Sequence, residues 1–183
     1  MNEKSTKYSP LAMILHWLIA ILVIVNWRIA EAGEHASKAD REAIMGNHFA
    51  FGVIILVLAI AHIIVRYTMP RPKLASHLKP WEAMLARVTH VLLGLLVILM
   101  PLMGWTAMSL YGQPIDVFGV FTLPALPLSP DKDMAKSIFE AHATVGTILV
   151  ILIFLHVAGS LKHTLFDRDG NLFRMLPFGK AKA

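Results

Sequence analysis

Four stretches of this chain contain no Asp, Glu, Lys or Arg: residues 11–27, 49–65, 88–113 and 141–161. No other feature restricts the fold as much. A bilayer core about 30 Å thick is spanned by about 20 mostly apolar residues of helix, because backbone polar groups must be satisfied inside the segment. The last two runs reach that length as they stand, and residues 8–9 and 45–48 extend the first two without adding a charge. Composition agrees, with 56% hydrophobic and 16% charged residues among 183 and a mean hydropathy of +0.62. A soluble domain carries about 25% charged residues. The expected fold is all-α, an integral membrane four-helix bundle with spans roughly at 8–28, 45–66, 85–109 and 139–162. Without an internal repeat or low-complexity tract, residues 1–183 read as one domain.

The first run also has the outline of a secretory signal, with Lys4 and Lys7 in front and Ala30-Glu31-Ala32 behind. Its apolar stretch exceeds the usual about 7–15 residues and three more spans follow, so it reads as a retained anchor. Orientation follows from the basic residues of the short loops. With the N-terminus inside, Lys4, Lys7, Arg66, Arg71, Lys73, Lys79, Arg87, Lys162, Arg168, Arg174, Lys180 and Lys182 are cytoplasmic, against Arg28, Lys38, Arg41, Lys132 and Lys136 outside. Eight of the 12 acids also lie outside, leaving the outer face net −3 and the inner face +8. Both termini are therefore expected in the cytoplasm. The sequence pI of about 9.6 calls for no nucleic acid, since a basic inner face suits an anionic leaflet. Residues 32–44 read as a polar outer loop. Pro70 and Pro72 end the second span, and Pro101 is expected to kink the third. Residues 111–136, with four prolines among apolar residues, read as a non-helical segment lying on the bundle or the interface.

Histidine carries the chemistry. Intramembrane ionisable residues are costly and mark function, and the chain has nine: His16, His35, His48, His62, His77, His90, His142, His156 and His163. His35 and His77 fall in polar loops and read as solvated. His142 and His156 lie fourteen residues apart, a spacing that returns to nearly the same helix face about 21 Å along the axis. That places one near each surface and suits two cofactors stacked across the bilayer. Cysteine is absent, which excludes c-type haem attachment and thiolate clusters, whereas imidazole ligates haem iron. For His142 the outer partner is His48, at the start of the second span. For His156 three residues compete, His16, His62 and His90, and spacing does not choose among them. Gly52 and Gly146 each follow a histidine by four residues on the same face, leaving room for a flat macrocycle; Gly94 stands in the same relation to His90. The bland reading makes any one of these histidines an interhelical hydrogen-bond partner. Aromatic residues near the span ends read as interface belt or bundle core.

The segments KYSPLAMILHW, MGNHFAFG, RYTMPRP and LFRMLP, with H(x13)H in the last span, together resemble bacterial cytochrome b561 across nearly the whole chain. That family comprises four-helix di-haem proteins of the inner membrane, related to the cytochrome b subunits of nickel–iron hydrogenases. The resemblance implies two non-covalent haem b, with His16 and His156 on the inner iron and His48 and His142 on the outer. It also implies ubiquinone as electron partner, and one branch oxidises superoxide at the outer face. A bis-histidine iron has both axial positions filled, so the expected activity is electron transfer between an outer one-electron donor and membrane quinone. Alternatives are a cytochrome b subunit of a larger dehydrogenase or hydrogenase complex, and a histidine-lined cation transporter or metal-binding membrane protein. A haem Soret band in the purified protein separates this last class from the others. Seven residues beyond His156, His163 lies about 10 Å nearer the cytoplasm. Histidine is suited to relaying protons to a reduced quinone; the bland alternative is a helix-end residue bound to water.

The topology has a direct test. Reporter fusions after Lys38 and Asp131 are expected to read as external, and fusions after Lys73 and Lys182 as cytoplasmic. An external C-terminus would overturn the assignment of inner and outer histidines.

Overall fold

A computed structural model describes residues 6–70, 72 and 79–180. Lys4, Arg71, Lys73, His77 and Lys182 lie outside the described residues. Four long helices, α1 (Pro10–His35), α2 (Lys38–Thr68), α3 (Pro80–Leu110) and α4 (Lys132–Leu165), carry the four uncharged runs. Each start is chemically marked. Ser9 accepts a hydrogen bond from the Ala12 N–H just before Pro10, Ser37 accepts from Asp40, and Asp131 accepts from Asp133 and Met134. These oxygens satisfy donors that the first helical turn leaves unpaired.

The helices run past the expected spans, and this corrects the reading of residues 32–44 as a loop. Only Ala36 and Ser37 separate α1 from α2. A helix needs apolar side chains only within hydrocarbon; beyond it, the Arg28–Glu31 ion pair and the Ser37 cap support helix in polar surroundings. Helix α3 continues through Pro101 to Leu110. Residues 132–136, expected to be irregular, already belong to α4.

The rest of the 111–136 segment lies on the bundle as expected, and it contains a hairpin that periodicity did not suggest. Strand β1 (Ile115–Val117) pairs antiparallel with β2 (Phe121–Leu123), Ile115 opposite Leu123. Phe118 and Gly119 between them take φ of 54° and 69°, as a type I′ turn requires. Ile115 and Val117 bury themselves against Ala50 and Val53 of α2. Trp105 Nε1 donates to the Pro124 carbonyl at 2.9 Å, and the Leu126 N–H to Ser109 Oγ at 2.9 Å.

Packing is sequential: α1 lies on α2, α2 on α3 and α3 on α4. Ile19, Val23, Ile55 and Leu149 form the central core. The outward faces are apolar as well, with Val57, Val91 and Phe154 60%, 68% and 71% exposed, which is the surface a lipid solvent calls for. Tyr8 and Arg174 meet at one end of the bundle, where the Tyr8 N–H donates to the Arg174 carbonyl at 3.1 Å.

The α1–α2 turn depends on Gly33, which is buried. A Cβ there would lie 2.7 Å from Met45 Sδ and 3.3 Å from Ile44 Cγ2. Gly33→Val is expected to lower the thermal midpoint in detergent, at a cost of about 1–3 kcal/mol for overpacking. Met45→Ala in the same chain should restore part of the loss; a wild-type midpoint for Gly33→Val alone would show that this seam is not close-packed.

Candidate functional site

Four ring contacts link six histidines among the described residues, and they fall at two depths. At the end of the bundle that carries the hairpin, His48 of α2 faces His142 of α4, with centroids 6.0 Å apart and planes at 82°. His48 Nδ1 lies 3.1 Å from the Asn26 carbonyl of α1. Nδ1–H donates there, so the Nε2 lone pair stays available, the usual way a ligating imidazole is oriented by a neighbour. On α4, His142 rests over Gly104 of α3: a Cβ at Gly104 would be 3.7 Å from His142 Cε1. Its Nδ1 is buried without a well-formed hydrogen bond, facing the Met100 carbonyl.

At the other depth four histidines converge. His16 is 6.2 Å from both His62 and His156, and His156 is 5.2 Å from His90, all between ring centroids. All three candidates for the partner of His156 are thus brought to one place, as sequence left them. Backbone packing separates them. His16 and His62 sit on α1 and α2, and His90 and His156 on α3 and α4, two pairs of helices packed directly together. His16 and His156, like His48 and His142, join helices whose backbones make no extended contact, though their side chains meet in the core.

That difference tests the fit of a flat macrocycle. Two imidazoles on opposite sides of one metal, with metal–nitrogen bonds of about 2 Å, place their ring centroids about 6 Å apart. The His48–His142 and His16–His156 pairs meet that requirement across gaps between helices. His16–His62 meets the distance but spans a packed seam, and His90–His156 is too close. Gly52 agrees with the room expected of it, since a Cβ there would meet nothing within 4 Å. Gly146 is different: its Cβ would lie 3.2 Å from Met100 Cε, so this glycine admits the Met100 side chain. The residues present fit two bis-imidazole sites.

Sequence reasoning missed several participants. Asn26 orients His48 through its carbonyl, Gly104 seats His142, and Arg66 lies within electrostatic reach of His16, His62 and His90. Carbonyl orientation has no signature in residue type, and nothing in the pattern ties Gly104 to His142. Arg66 was visible only as one cytoplasmic cation among many.

His163 is placed among charges at the end that carries both termini. Its Nδ1 lies 2.6 Å from Asp167 Oδ2, though not aligned as a hydrogen bond, and 3.8 Å from Asp169 Oδ2. Lys162 Nζ bridges Glu82 Oε1 at 2.8 Å and Asp167 Oδ2 at 2.7 Å. Glu82, His163 and Asp167 offer ligand atoms within 4.8 Å of one another, but the Lys162 ammonium already serves as their cation. The hydrogen bond from Lys162 holds the Asp167 carboxyl below the usual range. Its contribution is therefore present at neutral pH and is lost only as pH falls through that lowered value.

Comparison with known proteins finds relatives over nearly the whole chain. A profile described as prokaryotic cytochrome b561 matches residues 7–178. A probable superoxide oxidase CybB of Yersinia pestis is 29% identical over 171 residues, covering 93% of this chain and 96% of the relative. Cytochrome b561 homolog 1 of Escherichia coli K12 is 24% identical, covering 93% and 97%. A cytochrome b562 of Cereibacter sphaeroides is 27% identical, covering 92% and 94%.

Proposed function

We propose, on the premise that this chain belongs to the prokaryotic cytochrome b561 family, that it moves electrons across the bacterial inner membrane between two bis-histidine haem sites. Family membership makes it a multi-pass bacterial membrane protein that transfers electrons and uses haem b. The finer reading assigns His48 and His142 to an outer haem and His16 and His156 to an inner one, with Gly52 leaving space beside His48. The observation that carries it is the matched pair of 6 Å imidazole contacts between helices whose backbones stand apart. Haem b supplies one-electron iron chemistry when bound. The protein's part would be to supply an imidazole pair at each site, to keep water out with aliphatic helices, and to hold His48 at a set tautomer through the Asn26 carbonyl. Arg66, within electrostatic reach of His16, His62 and His90, would offer a positive charge to an anionic group of the bound cofactor.

On the outer side the donor is a one-electron reductant, with superoxide, which leaves as O₂, the candidate. Two such electrons and two protons from the cytoplasm convert ubiquinone to quinol. For the second task His163 is placed at the inner end, with Nδ1 turned to Asp167 and Nε2 left to carry the proton. Outer cations offer little steering toward an anion. Arg28 pairs with Glu31 and Lys136 with Glu140, on a face that is net −3, so encounter rests on diffusion more than on attraction.

Acid acetone is expected to extract two haems per chain. His48→Ala or His142→Ala should remove one haem and leave the other spectrally intact, while His16→Ala or His156→Ala should do the reverse. Loss of the inner haem in His62→Ala, with His16→Ala unaffected, would overturn the inner pairing. A separate experiment addresses the proton path. His163→Ala with both haems retained should let quinone reoxidise the reduced protein roughly tenfold more slowly across about pH 6 to 8. Unchanged reoxidation would make His163 a surface residue.

A further inference from the structure

We infer that residues 170–179 form a clasp that fixes the distance between α1 and α4, and with it the mutual setting of His16 and His156, with Trp17 as the positioning residue. The inference rests on the proposed assignment of those two histidines to one haem.

Helices α1 and α4 are the first and last of a bundle that packs in sequence, and their backbones do not lie against one another. Between them lies only the small central core that Ile19 and Val23 share with Leu149, so backbone packing does not set their separation. The segment after α4 sets it. Left-handed backbone at Arg168 and Gly170, with φ of 52° and 69°, turns the chain back. The turn is held by Asp169 Oδ1, which accepts from the Asn171 N–H at 2.8 Å, and by the Leu172 N–H donating to Thr164 Oγ1 at 3.0 Å. The second bond ties the short 3₁₀ helix Asn171–Met175 to α4.

From there the segment crosses to α1. Its carbonyls accept from the Tyr8 N–H at Arg174 (3.1 Å) and from Trp17 Nε1 at Met175 (2.7 Å). Lys7 Nζ lies 3.1, 3.3 and 3.1 Å from the carbonyls of Leu176, Pro177 and Phe178. A single ammonium holding three successive carbonyls is a charge-assisted anchor, stronger than neutral contacts. At its far end the clasp folds on itself at Gly179, where φ is +77° and a Cβ would lie 2.2 Å from Phe173 Cδ1. Arg174 is buried, so this is packed structure and not a trailing tail.

The link to the histidines is Trp17. Its ring stands edge-on to His16 at 5.7 Å and 82°, and its only ring N–H is fixed on the clasp. Displacing the clasp therefore moves the indole against which His16 is set and frees α1 to shift from α4. The angle between the His16 and His156 planes, 68° here, would set the anisotropy of a low-spin ferric iron held by both, so the effect has a spectroscopic signature.

The test uses the full-length, haem-loaded protein in detergent. Trp17→Phe keeps the ring and removes the N–H, Lys7→Met removes the anchor, and Lys7→Arg conserves it. Low-spin electron paramagnetic resonance and transfer of haem to excess apomyoglobin are measured for each, with the outer signal identified from its loss in His48→Ala. Trp17→Phe combined with Lys7→Met should shift the inner signal and release the inner haem roughly tenfold faster, about 1.4 kcal/mol, leaving the outer signal and rate unchanged. Lys7→Arg should resemble wild type. Wild-type signals and release rates in the double variant, or equal changes in both haems, would overturn the clasp. His16→Ala separates the two layers of argument. If it spares the inner signal, the ligand assignment fails; if it abolishes that signal while the double variant does nothing, only the clasp fails.

Discussion

Imidazoles in hydrocarbon must be matched by partners, and in this bundle the matching occurs across gaps as well as across packed seams. Helix α4 is the pivot. It packs its backbone on α3 and presents His142 and His156 to α2 and α1, which it meets through side chains such as Phe139 on Phe49 and Leu149 in the central core. If α4 closed onto α1, His16 and His156 would meet as two side chains in a core. With the backbones held apart, the two rings face each other with centroids 6.2 Å apart. The loosely filled interior follows from that geometry, with Gly52 opening onto space and only a small central core at Ile19, Val23, Ile55 and Leu149.

A bundle with built-in gaps needs other means of holding its helices. At the hairpin end, β1 lies on α2 while Trp105 and Ser109 of α3 bind the chain beyond β2. Asp131 then begins α4, its N–H donating to the Leu110 carbonyl at 3.1 Å. The connection between α3 and α4 is thus a structured cap. At the opposite end, Lys162 ties α4 to Glu82 of α3, and the segment after α4 ties it to α1. Polar interactions accordingly collect at the two ends, where water screens them, and dispersion holds the middle. A membrane bundle is expected to divide its interactions this way because lipid gives apolar side chains no reason to prefer one another.

The same arrangement bears on electron transfer. Two imidazole pairs lie at different depths, with the aliphatic core of Ile19, Val23, Ile55 and Leu149 in the same bundle. The His48 orientation by Asn26 and the Trp17 contact to His16 differ in kind, one a carbonyl acceptor and the other an aromatic edge. Under the proposed assignment, such differences in surroundings would separate the potentials of two otherwise similar sites.

Much of this was determined by residue order alone. Uncharged runs of membrane length fixed four helices, and the fourteen-residue spacing of His142 and His156 fixed two depths, because helical rise and rotation are properties of the backbone. The two-residue α1–α2 turn was not legible, since charged residues outside hydrocarbon are compatible with either loop or helix. Neither was the hairpin, whose six strand residues are too few to show a period. The partner of His156 was the question the residues themselves left open. His16, His62 and His90 have the right depth and the right side chain, and only resemblance to a family chose among them. The tertiary structure gathers all three into one cluster, and they differ there in a property no single helix possesses, namely which backbones pack together and which stand apart. The setting of His16 by Trp17 belongs to the same class, because it depends on a carbonyl at Met175, and every residue type carries a carbonyl.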